Sequence, residues 1–186
     1  MAKFLCLLFL PALAQAADVT LLLNWKPEAE FGGFYAAELS GAFAKEGLKV
    51  TIQPGGVGTP ASQMVAAGKA DFGVSSADAI IISQDRGTDN VALFAVYQTY
   101  PQGFLARVER GSKTMQEVLS TGILAVEAGH PFFQFLKKKF GVKAQVVPYL
   151  GGISQISQNP KVAQQCFIAS EPILLEEKGM KGKTFL

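Results

Sequence analysis

Apolar and polar positions along the chain switch repeatedly between two periods. Short β-rich runs alternate with helix-length segments whose apolar residues recur every three or four positions, the signature of parallel α/β architecture. Residues 19–23 read as the first strand. Residues 34–45 follow as a helix, with Phe34, Ala37, Leu39, Ala42 and Phe43 near helical spacing and Gly47 as its stop. Leu48-Lys49-Val50-Thr51-Ile52 alternates as a half-buried strand and is ended by Pro54-Gly55-Gly56. Thr59-Pro60 places a capping residue before proline at the first helical position, predicting a helix through Met64, Val65 and Ala67 that ends at Gly68. Residues 71–74 predict a short strand, and Ser75-Ser76 lead into a helix through Ile80, Ile81 and Ile82 that closes near Gly87. Residues 91–96 are apolar throughout, which predicts a fourth strand buried on both faces of a central parallel sheet.

Beyond Pro101 the same grammar restarts. Residues 104–108, 123–126 and 145–147 read as extended, and residues 114–119 and 131–140 as helical. Two strand-helix series joined near Gln102-Gly103 predict two lobes, residues 17–102 and residues 103–186, with a cleft between them for a small molecule. At Gly182-Lys183-Thr184-Phe185-Leu186 a β-type pattern is only beginning. A strand left as an unpaired apolar edge is a liability, so the second lobe is expected to be incomplete and the chain truncated.

The N-terminus decides the compartment. Lys3, the apolar run of residues 4–10 and Ala14-Gln15-Ala16 form a secretory signal peptide over residues 1–16. The run breaks at Pro11, about half of the roughly 20 residues needed to span a bilayer, so no stable membrane insertion is expected after cleavage. Cys6 sits inside the run rather than after a small residue at its end, which argues against lipidation. Cleavage leaves Cys166 as the only cysteine, so the exported chain is held by its core, for which 49% hydrophobic residues suffice. The formal charge of +2 becomes +1 without Lys3, and with no basic stripe neither value points to nucleic acid. Lys137-Lys138-Lys139 reads as a solvated helix face.

Catalytic arrangements are missing. One histidine, His130, and one remaining cysteine cannot build a zinc site, and Gly55-Gly56-Val57-Gly58-Thr59 lacks the Lys-Ser/Thr ending of a phosphate-binding loop. No metal and no cofactor is expected. What remains is a set of polar and aromatic residues where strands end and helices begin, the crevice positions of open α/β sheets. Trp25, the sole tryptophan, lies in the polar loop Asn24-Trp25-Lys26-Pro27 and is either a ligand platform or core. Tyr35 stands one turn behind Gly32 and Gly33, whose missing side chains let a ligand approach backbone N–H groups; packing explains Tyr35 equally well. Ser75 and Ser76 gather hydroxyl and backbone donors at a strand-helix junction, and capping alone accounts for one of them. Asp78 is either a first-turn carboxylate complementing the helix dipole or a ligand contact. Tyr97 and Gln98 close the fourth strand, Glu127 occupies the corresponding corner of the second lobe, and His130 reads as a capping or surface residue. Glu171 follows Cys166-Phe167-Ile168 and is either a site carboxylate or an ordinary exposed glutamate.

The string Leu23-Asn24-Trp25-Lys26-Pro27, then Phe31-Gly32-Gly33-Phe34-Tyr35-Ala36-Ala37, Gly41, Phe43 and Glu46-Gly47-Leu48 resembles the opening of the NMT1/THI5-like substrate-binding proteins. Pro54-Gly55-Gly56, residues 68–75 and Ser170-Glu171-Pro172 resemble later segments of the same family in the same order. The resemblance implies a type 2 periplasmic binding protein that serves an ABC-transporter permease, with a chain that crosses to a second lobe and returns to the first. In members that bind pyrimidine precursors of thiamine, the aromatic residue after the first strand stacks on the ligand and acidic groups bond its amine. That implicates Trp25 and Glu171, and less directly Tyr35 and Ser75. Related sulfonate, taurine and nitrate binders recognise anions. Glu30, Glu127, Glu171 and Asp78 near strand ends, with few arginines, favour an amine-bearing heterocycle over an anion. Enzymatic relatives that synthesise the thiamine pyrimidine carry a Cys-Cys-Cys-Phe-Cys motif without counterpart here, so binding rather than catalysis is expected.

Overall fold

In the computed structural model, which describes residues 16–186, the chain forms two sheets. The predicted signal peptide lies outside the described residues except for Ala16. The first sheet comprises β1 (Ala17–Leu22), β2 (Leu48–Gln53) and β3 (Phe72–Gly73), all parallel, in the order β2-β1-β3. Its helices are α1 (Gly32–Leu39), α2 (Ala42–Lys45), α3 (Ala61–Ala66) and α4 (Ala77–Asp85). The single helix predicted over residues 34–45 is therefore two. Gly41 adopts φ 70°, a left-handed conformation that ends one helix and starts the next.

The second sheet has the order β6-β5-β7-β4-β8, with β4 (Gln102–Arg107), β5 (Ile123–Val126), β6 (Gln145–Pro148), β7 (Val162–Phe167) and β8 (Gly182–Phe185). Strands β6, β5 and β7 are parallel, and β4 runs antiparallel to both β7 and β8. The helices here are α5 (Met115–Ser120), α6 (Pro131–Phe140), α7 (Ser154–Gln158) and α8 (Glu171–Glu177). Phe104, Val118, Leu119, Leu124, Val126 and Phe132 pack into the largest apolar cluster, and all but Phe132 are essentially inaccessible to water. Lys137, Lys138 and Lys139 occupy the exposed last turn of α6, where cations oppose the helix dipole favourably.

Three expectations are corrected. Residues 91–96 form no strand, and Val91, Leu93, Phe94 and Val96 are exposed. An apolar run becomes a strand only beside a free sheet edge; here β3 is two residues long, and a cavity of about 490 Å³ is lined by Phe72 on one side and by Val91 and Leu93 on the other. Thr59 does not cap α3. Its hydroxyl accepts the Gly56 N–H at 2.8 Å inside the preceding turn, and Pro60 takes the cap position. The C-terminal segment is the outermost strand of its sheet, paired on one side with β4. Phe185 pairs with Phe104 across β4 and is buried, leaving Leu186 exposed.

The loop that leaves β1 is fixed by one close approach. A Cβ at Gly55 would stand 2.2 Å from the Leu23 carbonyl oxygen and 2.8 Å from the Trp25 nitrogen, and the Gly55 N–H donates to the Trp25 carbonyl at 2.9 Å. Gly55→Ala is therefore expected to lower stability by about 1–3 kcal/mol through overpacking against backbone that cannot yield. Gly56→Ala, whose Cβ meets nothing, should stay within about 0.5 kcal/mol of wild type. Urea denaturation of the two variants side by side checks this, and equal midpoints would refute it.

Candidate ligand-binding junction

Trp25 is delivered to the gap between the sheets by β1, whose continuation Leu23 is fully buried and donates its N–H to Gln53 at 2.9 Å. From the other side, β6 delivers Tyr149, whose N–H bonds Val126 at 3.0 Å and whose ring is 3% exposed. The two rings lie parallel within 9°, centroids 5.9 Å apart. Tyr149 donates its hydroxyl proton to Glu171 Oε1 at 2.5 Å, and Glu171 Oε2 accepts the Phe167 N–H at 2.8 Å. Glu171, the first residue of α8, is 4% exposed, so it is not the ordinary surface glutamate that was one of its two readings. Trp25 and Glu171, 146 positions apart, thus belong to one cluster joined by a tyrosine.

Two further carboxylates face this cluster. Glu28 accepts the Ser170 hydroxyl hydrogen, linking the Trp25 loop directly to the α8 N-terminus. Glu30 lies in the short turn Ala29–Phe31, is 6% exposed, and its Oε2 has no hydrogen-bond partner. Burial, with the charges of Glu28 and Glu171 adding to it, pushes the Glu30 carboxyl up to about 7. Burial also raises Glu171, opposed by the bonds from Tyr149 and Phe167, and it raises the Tyr149 hydroxyl far above its ordinary value. Among the described residues the ion pairs are Lys49–Asp18 and Arg107–Glu109, so none of these three carboxylates has a cationic partner within ion-pair distance. Lys26 lies over Gly151, where a Cβ would stand 3.1 Å from its Nζ.

The remaining predicted residues divide. Tyr35 packs with Trp25 and Phe34 against Leu21, Leu23 and Phe31. Gly32 and Gly33 form the exposed first turn of α1, with open space where their Cβ atoms would be. Ser75 shares a 2.8 Å hydroxyl contact with Ser62 of α3, and Ser76 is the N-cap of α4 although its side chain makes no capping bond. Glu127 bridges the halves directly, Oε1 accepting the Gly58 N–H at 2.7 Å. Its own N–H donates to Gln165 at 2.6 Å. His130 stands at the N-cap of α6 without a side-chain capping bond, its ring edge-on to Phe132 and its pKa lowered by burial. Tyr97 donates to the Glu30 carbonyl at 3.3 Å and meets Phe167 edge-on.

Tyr149 and Glu28 were not foreseen. Tyr149 follows a four-residue edge strand, and only the pairing of β6 beside β5 brings it opposite Trp25. Surface cavities of about 380 and 490 Å³ are lined by other residues, and at the junction itself the Trp25 and Tyr149 rings lie against each other. No group of three or more potential metal ligands occurs among the described residues, and none of their helices is long and apolar enough to cross a membrane.

A family model described as NMT1/THI5 like matches residues 28–186. No curated protein matches the chain in sequence. Among solved structures, a Bordetella bronchiseptica RB50 protein aligns with a TM-score of 0.63 at 21% identity, covering 92% of this chain and 56% of its own. A Methylobacillus flagellatus KT protein described as the periplasmic sulfonate-binding protein SsuA of a sulfonate ABC transporter aligns at 0.54 and 17% identity, covering 91% and 56%. An amino acid ABC transporter substrate-binding protein, AbpA of Streptococcus pneumoniae, solved bound to L-arginine, aligns at 0.62 and 15%, covering 90% and 74%. The chain therefore spans just over half the length of the first two. These likenesses show the fold, that of the type 2 periplasmic binding proteins.

The buried Glu30 carboxyl makes stability depend on pH. Its pKa is 4.5 when unfolded and about 7 when folded, so between these values the folded state keeps a proton the unfolded state has lost. Its contribution therefore weakens as pH rises from about 4.5 to 7 and is constant above. Glu30→Gln mimics the protonated form. The stability gap between this variant and wild type is expected to be near zero at pH 4.5 and to widen to about 2–3 kcal/mol in favour of the variant at pH 8. Denaturant melts of both across that range test it, and a gap that does not change with pH refutes it.

Proposed function

The chain belongs to the NMT1/THI5-like family, and from that premise we propose that it is an ABC-transporter solute-binding protein holding a small, flat, amine-bearing heteroaromatic molecule. In this reading residues 17–102 and 103–186 act as two lobes, the protein is exported to the periplasm by its signal peptide, and it hands the ligand to a permease. The substrate class is that of the pyrimidine precursors of thiamine.

The observation that carries the reading is the meeting of Trp25, Tyr149 and the carboxylates of Glu28, Glu30 and Glu171 at one junction. An aromatic face stacks on a planar heterocycle, and carboxylates accept from its N–H groups. Of the three arginines, Arg107 and Arg110 are engaged elsewhere, with Glu109 and with backbone carbonyls of the second half, and Arg86 caps the C-terminus of α4. The open first turn of α1 at Gly32 and Gly33, with Ser75, Ser76 and Glu127, borders the ligand in this reading, and Tyr35 supports Trp25 from the core. A sulfonate-type anion is the second reading, drawn from the Methylobacillus neighbour; three carboxylates oppose it.

Trp25 is the only tryptophan, so binding is readable directly. Titration with 4-amino-2-methylpyrimidine is expected to quench or shift its fluorescence. In a calorimetric titration, Trp25→Ala should weaken binding by about 1–3 kcal/mol, as for a buried aromatic anchor. Tight binding of taurine or nitrate with no response to the pyrimidine would establish the second reading instead.

A further inference from the structure

Glu30 has a property no other acidic residue of the junction shares. Glu28 receives the Ser170 hydroxyl, and both oxygens of Glu171 receive donors, from Tyr149 and Phe167. Glu30 Oε2 receives nothing, although the residue is more than nine-tenths buried. A buried carboxylate with no donor is costly, and two neighbouring carboxylates increase that cost. The fold nonetheless places all three within electrostatic reach of one another, with no lysine or arginine of the described residues in ion-pair distance. Like charges held together without a counter-ion exclude an anion from this spot and attract a cation.

We propose that Glu30 Oε2 is the acceptor for a positively charged N–H donor of the ligand, so that the molecule bound is an aromatic organic cation, such as an amidinium or a protonated aminoheterocycle, rather than a neutral ring. Resting on the reading of the junction as the ligand site, this adds the ligand's charge and the residue that selects it. The cation's N–H bonds to Glu30 while Glu28 and Glu171 supply the surrounding negative field, and the ring lies against Trp25. The groups facing Glu30 are Glu28 from its own loop, Glu171 from α8, and Tyr97, whose hydroxyl bonds the Glu30 carbonyl. A Glu30 that holds a proton at mildly acidic pH must release it when the cation binds.

The test uses benzamidine and benzamide, a flat cation and its neutral isostere, titrated calorimetrically into the mature chain. Wild type is expected to bind benzamidine at least tenfold more tightly than benzamide at pH 7.5. Its affinity for benzamidine should fall at least tenfold on going to pH 5.5, with proton release read from the dependence of the binding enthalpy on buffer ionisation. Glu30→Gln should lose at least tenfold in benzamidine affinity, lose much less for benzamide, and abolish most of the proton release. Should the variant fail to fold, the pH dependence and proton release of wild type decide alone. If Glu30→Gln binds benzamidine as wild type does while Trp25→Ala does not, the junction is the site and the role of Glu30 is wrong. Equal affinity for the two probes in wild type also overturns the charge assignment. No binding of either probe to wild type overturns both this assignment and the reading it rests on.

Discussion

Tyr149 is the residue on which the junction depends, because its two ends hold two different surfaces. Its ring lies against Trp25 from the first sheet, while its hydroxyl gives its proton to Glu171 from the helix that follows β7. Without that donor Glu171 would be a buried carboxylate supported by a single backbone N–H, and without the ring Trp25 would lose its partner across the gap. Burying a phenol is tolerable only when its hydroxyl is satisfied, and a carboxylate is the strongest acceptor available. The same bond that makes Tyr149 affordable in the interior also orients Glu171. Ser170 to Glu28 and Gly58 to Glu127 are further hydrogen bonds that join the two halves.

What the residue pattern could and could not reveal follows from which groups are satisfied locally. Strand β2 was legible because its exposure alternates residue by residue, and the glycine stops at Gly47, Gly68 and Gly87 were legible because each needs positive φ. Strand β7 was legible only at its apolar end, Cys166-Phe167, because its centre is Gln164-Gln165, two polar residues in the middle of the sheet. Gln164 donates to Gly152 at 2.7 Å, although its Oε1 stays unpaired, and Gln165 accepts from Glu127 at 2.6 Å, partners that only the fold supplies. Residues 91–96 misled for the opposite reason: their composition suits a buried strand, yet nothing in a sequence window records whether a sheet edge lies alongside. For the junction, Trp25 and Glu171 were visible as residues at strand ends. Tyr149 was not, since its importance lies in whom it faces.

The junction is closed by its own rings, and that closure has an energetic consequence. A flat ligand stacked between Trp25 and Tyr149 needs two contact distances of roughly 3.5 Å, about 7 Å in all. The rings stand 5.9 Å apart, and even offset stacking leaves no room for a third ring between them. Any ligand that uses both faces must first part them. An aromatic pair of this kind is worth about 0.5–1.5 kcal/mol beyond its buried area, so separating it lowers the apparent affinity by about two- to tenfold. That loss is small beside what a desolvated charge at Glu30 can return, because burial is already raising the cost of leaving that carboxylate unpaired. The two features of the junction therefore act in opposite directions on the same equilibrium. Ring stacking favours the halves closed on themselves, and the unpartnered carboxylate favours admitting a cation. In the proposed reading, a neutral planar molecule would bear the first cost without relieving the second, so that a site filled by its own side chains would still discriminate by charge.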